Sequence, residues 1–261
     1  MTAALAASGV AAVLIAFAAW GASLRLRDAS IADVVWGPAI AGLGWIALAL
    51  GPGTTARGTL LVALATVWAA RLAVHLARRR RGKGEDRRYR AMRERHGARF
   101  ATVSLFTVFL VQAGLQWAVA APLLAAASPG MARPLGPLDA IGAALFGAGF
   151  LVEALADAQL ARFLSDRGAA GRVMDRGLWR WSRHPNYFGE AVLWWGLGVV
   201  AAAGGAPWAL AGPLLLTLLL LRVSGVTLLE STIADRRPGY AEYVARTSAF
   251  VPRPPRAPDP R

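Results

Sequence analysis

The chain has 261 residues, 56% of them hydrophobic, a formal net charge of +14 and no cysteine. A soluble globular domain is rarely that apolar. A nucleic-acid binder of that basicity would not separate its charges by long uncharged runs, so nucleic acid is excluded as a partner. The missing cysteines exclude disulfides, thiolate catalysis and cysteine-held metals. His75, His96 and His184 stand too far apart to form a metal-spaced set, and no metal is expected.

Uncharged runs of about twenty residues are long enough to cross the hydrocarbon core of a bilayer. Seven occur, near 3–23, 32–50, 58–77, 101–126, 137–161, 187–203 and 207–229. The first lacks a basic region ahead of it and is read as a retained helix rather than a signal peptide. Gly51-Pro52-Gly53, Ser128-Pro129-Gly130 and Gly204-Gly205-Ala206-Pro207 are turns between neighbours. The stretches 78–99 and 162–183 and the tail from Arg236 are net basic, which places them in the cytoplasm by the positive-inside rule. The opposite turns carry only Arg57 and Arg133. The expected fold class is an all-α polytopic membrane protein with seven transmembrane helices, N-terminus outside and C-terminus cytoplasmic. Residues 1–261 are read as a single membrane domain, with a disordered tail at 253–261 rich in Pro and Arg.

The polar residues inside these runs are the candidates for chemistry, because such groups are costly in a membrane and usually functional. Asp33 opens the second run in Asp33-Val34-Val35-Trp36-Gly37, where a first-turn acid also suits the helix dipole. Trp68, Arg71 and His75 share one face of the third run. An Arg and a His on one membrane stripe point to a ligand pathway, although His75 can also snorkel from near the helix end. The following loop contains Arg81-Gly82-Lys83-Gly84-Glu85-Asp86-Arg87-Arg88-Tyr89. Any such cluster attracts anionic lipid; the glycines and the Glu-Asp pair suggest something more shaped, but the rest of a phosphate-binding Walker motif is missing. Glu153 and Asp157 lie four apart in the fifth run, with Arg162 a turn further on. They need partners, either Arg71 or Arg222 from other helices or a ligand.

The stretch from Asp175 to Trp195 begins charged and ends apolar. Pro185 is pre-set for a first helical turn, and His184 before it is pushed out of helical geometry, so a helix should start near Pro185 at the membrane surface. A helix start offers free N–H groups to a phosphate. Asn186, Glu190 and Trp194 follow at four-residue spacing on one face. Arg, His and Trp at such a boundary also serve simply to anchor a helix among headgroups.

Arg183-His184-Pro185-Asn186-Tyr187 with Gly189-Glu190 closely resembles the signature of the steroid 5α-reductase C-terminal-domain family and its bacterial relatives. It is more distantly similar to sterol C14- and C7-reductases, and it shares Arg-His-Pro with isoprenylcysteine and phospholipid methyltransferases. Asp157-Ala158-Gln159-Leu160-Ala161-Arg162-Phe163, Gly171-Arg172-Val173-Met174-Asp175-Arg176-Gly177-Leu178-Trp179 and the ending from Arg236 to Pro252 extend the likeness over about residues 30–252. Relatives carry a Lys where this chain has Leu164.

The resemblance implies NADPH held between helix ends; a Rossmann site is absent, since no Gly-x-Gly-x-x-Gly fingerprint occurs. The implied cofactor contacts are Arg71, Asp157, Arg162, Arg172, Asp175 and Trp179, then Arg183, His184, Asn186 and Tyr187, with Tyr240 and Tyr243 against a ring. Arginine suits bidentate phosphate contacts. The implied reaction is hydride transfer to the C=C bond of a lipophilic enone, a steroid or another lipid. Some 5α-reductases grip the substrate carbonyl with a carboxylate early in the second helix and a Tyr in the third. Asp33 matches the first, but the third run has no Tyr, which leaves Asp33, His75 and Tyr89 as proton-donor candidates beside Glu190. Trp36, Trp68 and Trp194 would wall a flat substrate.

Two rival classes remain open: an S-adenosylmethionine-dependent methyltransferase using the same Arg-His-Pro segment, and a non-enzymatic lipid-binding protein. Asn186, the Gly189-Glu190 pair and the carboxylates of the fifth run favour the reductase. The expected setting is a bacterial inner membrane, with membrane lipids as neighbours, the cofactor side facing the cytoplasm and the oligomeric state left open.

Overall fold

The computed structural model describes residues 1–51, 54–169, 171–223 and 239–256. Pro52-Gly53, the end of the seventh run at 224–229, Arg236 and the tail 257–261 lie outside them. Among the described residues the chain is helical, with no strand beyond an isolated bridge between Ser182 and Ser248. The helices are α1 Thr2–Leu26, α2 Ile31–Ala49, α3 Ala56–Arg80, α4 Arg87–His96, α5 Phe100–Ser104, α6 Val111–Val119 and α7 Ala121–Leu124. They continue with α8 Pro137–Ser165, α9 Pro185–Ala203, α10 Ala211–Leu218 and α11 Tyr240–Arg246. A π-helical stretch, Leu105–Leu110, joins α5 to α6.

Five helical spans are long and apolar enough to cross a membrane: α1, α2, α3, the continuous stretch Arg87–Val119, and α8. They overlap the first five expected runs, although the fourth starts at Arg87 and ends at Val119 rather than covering 101–126. The sixth run is α9, whose 19 residues include Asn186, Tyr187 and Glu190. The seventh is a shorter apolar helix, Pro207–Arg222. The 78–99 connection is not all loop. Its residues 87–96 form α4, because the Asp86 side chain accepts a hydrogen bond from the Arg88 N–H at 3.0 Å and caps the helix start.

The chain groups into two compact units, Met1–Ala140 with Leu197–Gly212, and Ile141–Gly196 with Pro213–Arg261. In the first unit α1 is built inside out. It buries Ala4, Ser8, Ala12, Ala16, Ala19 and Ser23, and exposes Val10, Leu14 and Phe17. Small residues let helix backbones approach closely, and lipid tails accept the large apolar ones. The same logic joins α2 to α3, where a Cβ at Gly37 would lie 3.1 Å from Ala69 Cα.

Arg57 is not an exposed turn residue. It and Asp139 are 2% and 3% exposed. The guanidinium makes two 2.7 Å bonds to the carboxylate and donates to the carbonyls of Arg133 at 3.0 Å and Pro134 at 2.9 Å. Asp139 also accepts from the Gly136 N–H at 2.8 Å. Burial is tolerated because the donors and lone pairs are matched. The starts of α3 and α8 and the 133–136 connection are thereby stapled together.

In the second unit α8 and α9 touch backbone to backbone. Gly142 and Gly149 on one helix, and Gly189 and Gly196 on the other, recur every seven residues, two helical turns. A Cβ at Gly149 would sit 2.4 Å from Leu193 N; at Gly189, 2.5 Å from Glu153 N; at Gly196, 2.5 Å from Gly142 O. Only glycine allows that approach, and it fixes the register of the polar residues on both helices.

Candidate functional site

In the second unit α9 begins at Pro185. At its first turn Asn186 Nδ2 donates to Asp157 Oδ1 of α8 at 3.1 Å. Asn186 Oδ1 is buried and has no hydrogen-bond partner among the described residues. Glu153, one turn before Asp157, and Glu190, one turn after Asn186, are both buried, as is Trp194. The glycine-close crossing therefore gathers three carboxylates and an amide on two facing helices. His184 is buried, and its ring stacks on Tyr187 with centroids 5.6 Å apart.

The Arg-His-Pro segment is tied to the residues around α11. The Arg183 N–H donates to Ser248 O at 2.8 Å, and Ser182 Oγ donates to Phe250 O at 2.8 Å. The Arg183 guanidinium donates to the carbonyls of Val244 and Thr247, where a cation satisfies the orphan acceptors and the dipole of a helix C-terminus. Trp179 Nε1 donates to Ala156 O at 3.0 Å, and the Tyr243 hydroxyl donates to Trp179 O. Burial pushes the Tyr243 phenol above its ordinary value. Tyr240 and Tyr243 are both buried, with ring centroids 6.0 Å apart. In this arrangement Trp179, Arg183 and Tyr243 each donate to backbone carbonyls. Arg162 is exposed at the end of α8, while Arg172 and Asp175 line a separate basic hollow.

In the first unit the structure joins two of the three proton-donor candidates. The Tyr89 hydroxyl donates to Asp33 Oδ1 at 2.8 Å, and Arg88 pairs with Asp33 Oδ2 at 2.8 Å. Tyr89 is 6% exposed. Tyr89 of α4 thus stands beside the carboxylate at the start of α2. A clamp holds α4 there. Glu85 accepts from the Ala29 N–H at 2.9 Å and from Arg93 at 2.8 and 2.9 Å. The Asp86 N–H donates to Ser30 Oγ at 2.8 Å, and Arg80 pairs with Asp28. Hydrogen bonds from Arg93, against the opposing effect of burial, hold the Glu85 carboxyl below its usual value. The Gly82–Asp86 stretch is therefore docked onto the α1–α2 turn. On α3, Trp68 is fully buried, and Arg71 and His75 are half-buried; Trp36 stands on α2 one turn from Asp33.

Residue chemistry had singled out Asp33 and Tyr89 separately, but nothing in their spacing joins residues 56 apart. The roles of Glu85, Asp86 and Arg88 were carried only by the mixed charge of their loop. Among the described residues no three His, Cys, Asp or Glu side chains are grouped to hold a metal ion.

Long apolar helices with small residues inside, and polar side chains gathered at two helix junctions, define a polytopic α-helical membrane protein. The chain belongs to the family described as protein of unknown function (DUF1295), which matches residues 19–247. The uncharacterized protein C594.04c of Schizosaccharomyces pombe is 27% identical over 261 residues, spanning 90% of this chain and 75% of that protein. No solved structure matches significantly.

Proposed function

We propose that the protein is a membrane-embedded, NADPH-dependent reductase of the C=C bond of a lipophilic enone. The observation that carries this reading is the Tyr89–Asp33 bond. A phenol paired with a carboxylate can pass its proton to a substrate carbonyl by giving up that bond, a step that enone reduction needs and methyl transfer does not. The cofactor belongs to the second unit, and the residues there fit it: Asn186 Oδ1 is a buried acceptor without a partner among the described residues, suited to a carboxamide N–H. NADPH, when bound, supplies the hydride.

Asn186, braced by Asp157, orients the carboxamide end, and Glu190 supports it from the next turn. Tyr89 donates its hydroxyl proton to the carbonyl oxygen as negative charge develops there, so that the enol forms rather than a free enolate. Asp33 positions the phenol, and Arg88 keeps Asp33 in place. The phenolate left on Tyr89 takes a proton from water on the polar side of α4, and the enol gives the saturated ketone by losing its O–H proton as its α-carbon gains one. In the first unit Trp36 and Trp68 supply apolar surface that excludes water, and in the second unit Trp194 does the same beside Glu190. The topology that goes with this reading has seven spans, α9 and the Pro207–Arg222 region being the last two, in a bacterial inner membrane with the N-terminus outside and the basic segments in the cytoplasm.

The test uses deuterated NADPH and a panel of enones with purified protein. Deuterium should appear at the β-carbon. Tyr89→Phe should lower kcat by about 10²-fold or more, the usual contribution of a positioned proton donor. Full turnover by Tyr89→Phe would remove the proton-donor role. Saturable S-adenosylmethionine binding with no NADPH binding would replace the reductase by the methyltransferase. Reporter fusions after Gly97 and Gly171 test the topology, and an external signal from either would overturn it.

A further inference from the structure

In the first unit a hollow of about 290 Å³ opens where three spans pass from apolar to charged residues. Leu26 ends α1, Ile31 begins α2, and Ala77 is the last residue of α3 before Arg78, Arg79 and Arg80. Part of the lining is apolar, from Ile31, Val34 and Ala77. The rest carries Arg80, Arg81 and Lys83 against a single carboxylate, Asp28. That carboxylate is already engaged by Arg80 and by the Ser30 hydroxyl. Arg80 Nη1 is buried and has no hydrogen-bond partner among the described residues. A buried guanidinium N–H without an acceptor is costly, and an anion in the hollow would satisfy it.

The hollow continues into an apolar track between α2 and α3. Val34, Pro38, Gly42 and Trp45 follow one another on one face of α2, and Ala77, Val74, Ala70 and Thr66 do so on α3. At one end Val34 and Ala77 line the hollow. At the other, Trp45 Nε1 donates to Thr66 Oγ1 at 3.1 Å and closes the track. Between them Pro38, Ala70 and Val74 are exposed, and a Cβ at Gly42 would meet nothing within 4 Å. From Val34 to Trp45 the helix rises about 16 Å. One leaflet supplies about half of the ~30 Å hydrocarbon core, so the track is one leaflet deep.

General attraction of anionic lipid needs only exposed cations. A concave cationic cluster joined to a track of this depth calls for an anion and an acyl chain in one molecule. We propose that this surface holds one anionic phospholipid. Its phosphodiester sits in the hollow against Arg80, Arg81 and Lys83, and one acyl chain runs along the α2–α3 track to Trp45. A zwitterionic headgroup would bring its own ammonium to the same cations and bind less well. The site does not depend on the reductase reading.

The test titrates the detergent-purified full-length protein with phosphatidylglycerol, phosphatidylcholine, oleate and glycerol 3-phosphate. Native mass spectrometry reads bound lipid, and unfolding reads the thermal midpoint. Phosphatidylglycerol should bind at least about tenfold more tightly than phosphatidylcholine and raise the midpoint. Arg81→Gln with Lys83→Gln should lower its affinity about tenfold or more. Arg95→Gln with Arg99→Gln removes the same charge from exposed residues outside the hollow and should leave the affinity nearly unchanged. Gly42→Leu fills the track without altering charge; it should lower the affinity too, while the lipid-free midpoint is kept or raised. Equal affinity for the two phospholipids, equal losses in the two double variants, or full affinity in Gly42→Leu would each overturn the proposal. Oleate or glycerol 3-phosphate binding as tightly as phosphatidylglycerol would also overturn it, giving the site to a fatty acid or to a free phosphate.

Discussion

Adding one methyl group at Gly189 tests whether the α8–α9 crossing sets the geometry of the candidate cofactor site. In Gly189→Ala the new Cβ would lie 2.5 Å from Glu153 N, 2.6 Å from Gly149 O and 3.0 Å from Glu153 Cα. Ordinary contact begins near 3.4 Å, so the backbones must part by about 0.9 Å. All three neighbours are main-chain atoms, so no flexible side-chain end can move aside. Overpacking of this kind costs about 1–3 kcal/mol. Asn186 stands one turn earlier on the same face, 3.1 Å from Asp157. The same parting stretches that bond to about 4 Å, beyond hydrogen-bonding distance, and adds about 1–2 kcal/mol. The expected loss is therefore about 2–5 kcal/mol, together with weakened NADPH binding. Reversible unfolding in detergent measures the first, and nucleotide titration the second. Gly147→Ala is the control: it lies on α8 with no neighbour within 4 Å of the added atom, and alanine's better helix propensity should make it neutral or slightly stabilising. Equal stability of the Gly189 and Gly147 variants would refute the argument.

Arg57→Met should destabilise the fold by about 3–5 kcal/mol by leaving the buried Asp139 carboxylate unpaired, and Arg57→Met with Asp139→Leu should recover most of that loss; a double variant as unstable as the single would show that the pair is not the cause. Because the Glu85 pKa is lowered from 4.5, the stability it contributes is present above that pH and is lost as pH falls through the depressed value. Amide exchange at Ala29 and Asp86, corrected for intrinsic rate, should accordingly stay flat from pH 7 to pH 5 and rise only below the ordinary value of 4.5, and a rise already at pH 6 would point to another group. Asp33→Asn should keep the Tyr89 hydrogen bond but weaken the Arg88 contact, lowering kcat about tenfold or more with a smaller change in KM; a change in KM alone would make Asp33 a binding residue only.

The first five spans were legible because membrane helices announce themselves by length and absence of charge, which needs no tertiary information. The start of α9 was legible because Pro185 restricts both itself and His184. What could not be read was the partner of each charge. Arg183 reads as a cation near a helix start, yet its guanidinium caps the far end of α11, a choice among carbonyls that only the folded chain makes. Arg57 reads as a turn residue because its acceptors come from Asp139 and from carbonyls more than seventy residues away. The seven-residue spacing of Gly142 with Gly149 and of Gly189 with Gly196 was present in the sequence, but spacing alone does not say which helix another will meet. Tyr89 was visible as a candidate, while its carboxylate partner depended on how a polar connection folds back over the α1–α2 turn.

The inside-out face of α1 also bears on the calorimetry of this protein. Val10, Leu14 and Phe17 stay in a hydrocarbon environment whether or not α1 is packed on its neighbours, so separating the helices within a micelle hydrates little new apolar surface. The heat-capacity increment of that separation would fall far below the ~12–15 cal/mol/K per residue of a soluble chain. The stability curve of the helix bundle would then be nearly straight in temperature, governed by enthalpy and chain entropy rather than by water, and cooling would strengthen the bundle where a water-driven core would begin to weaken.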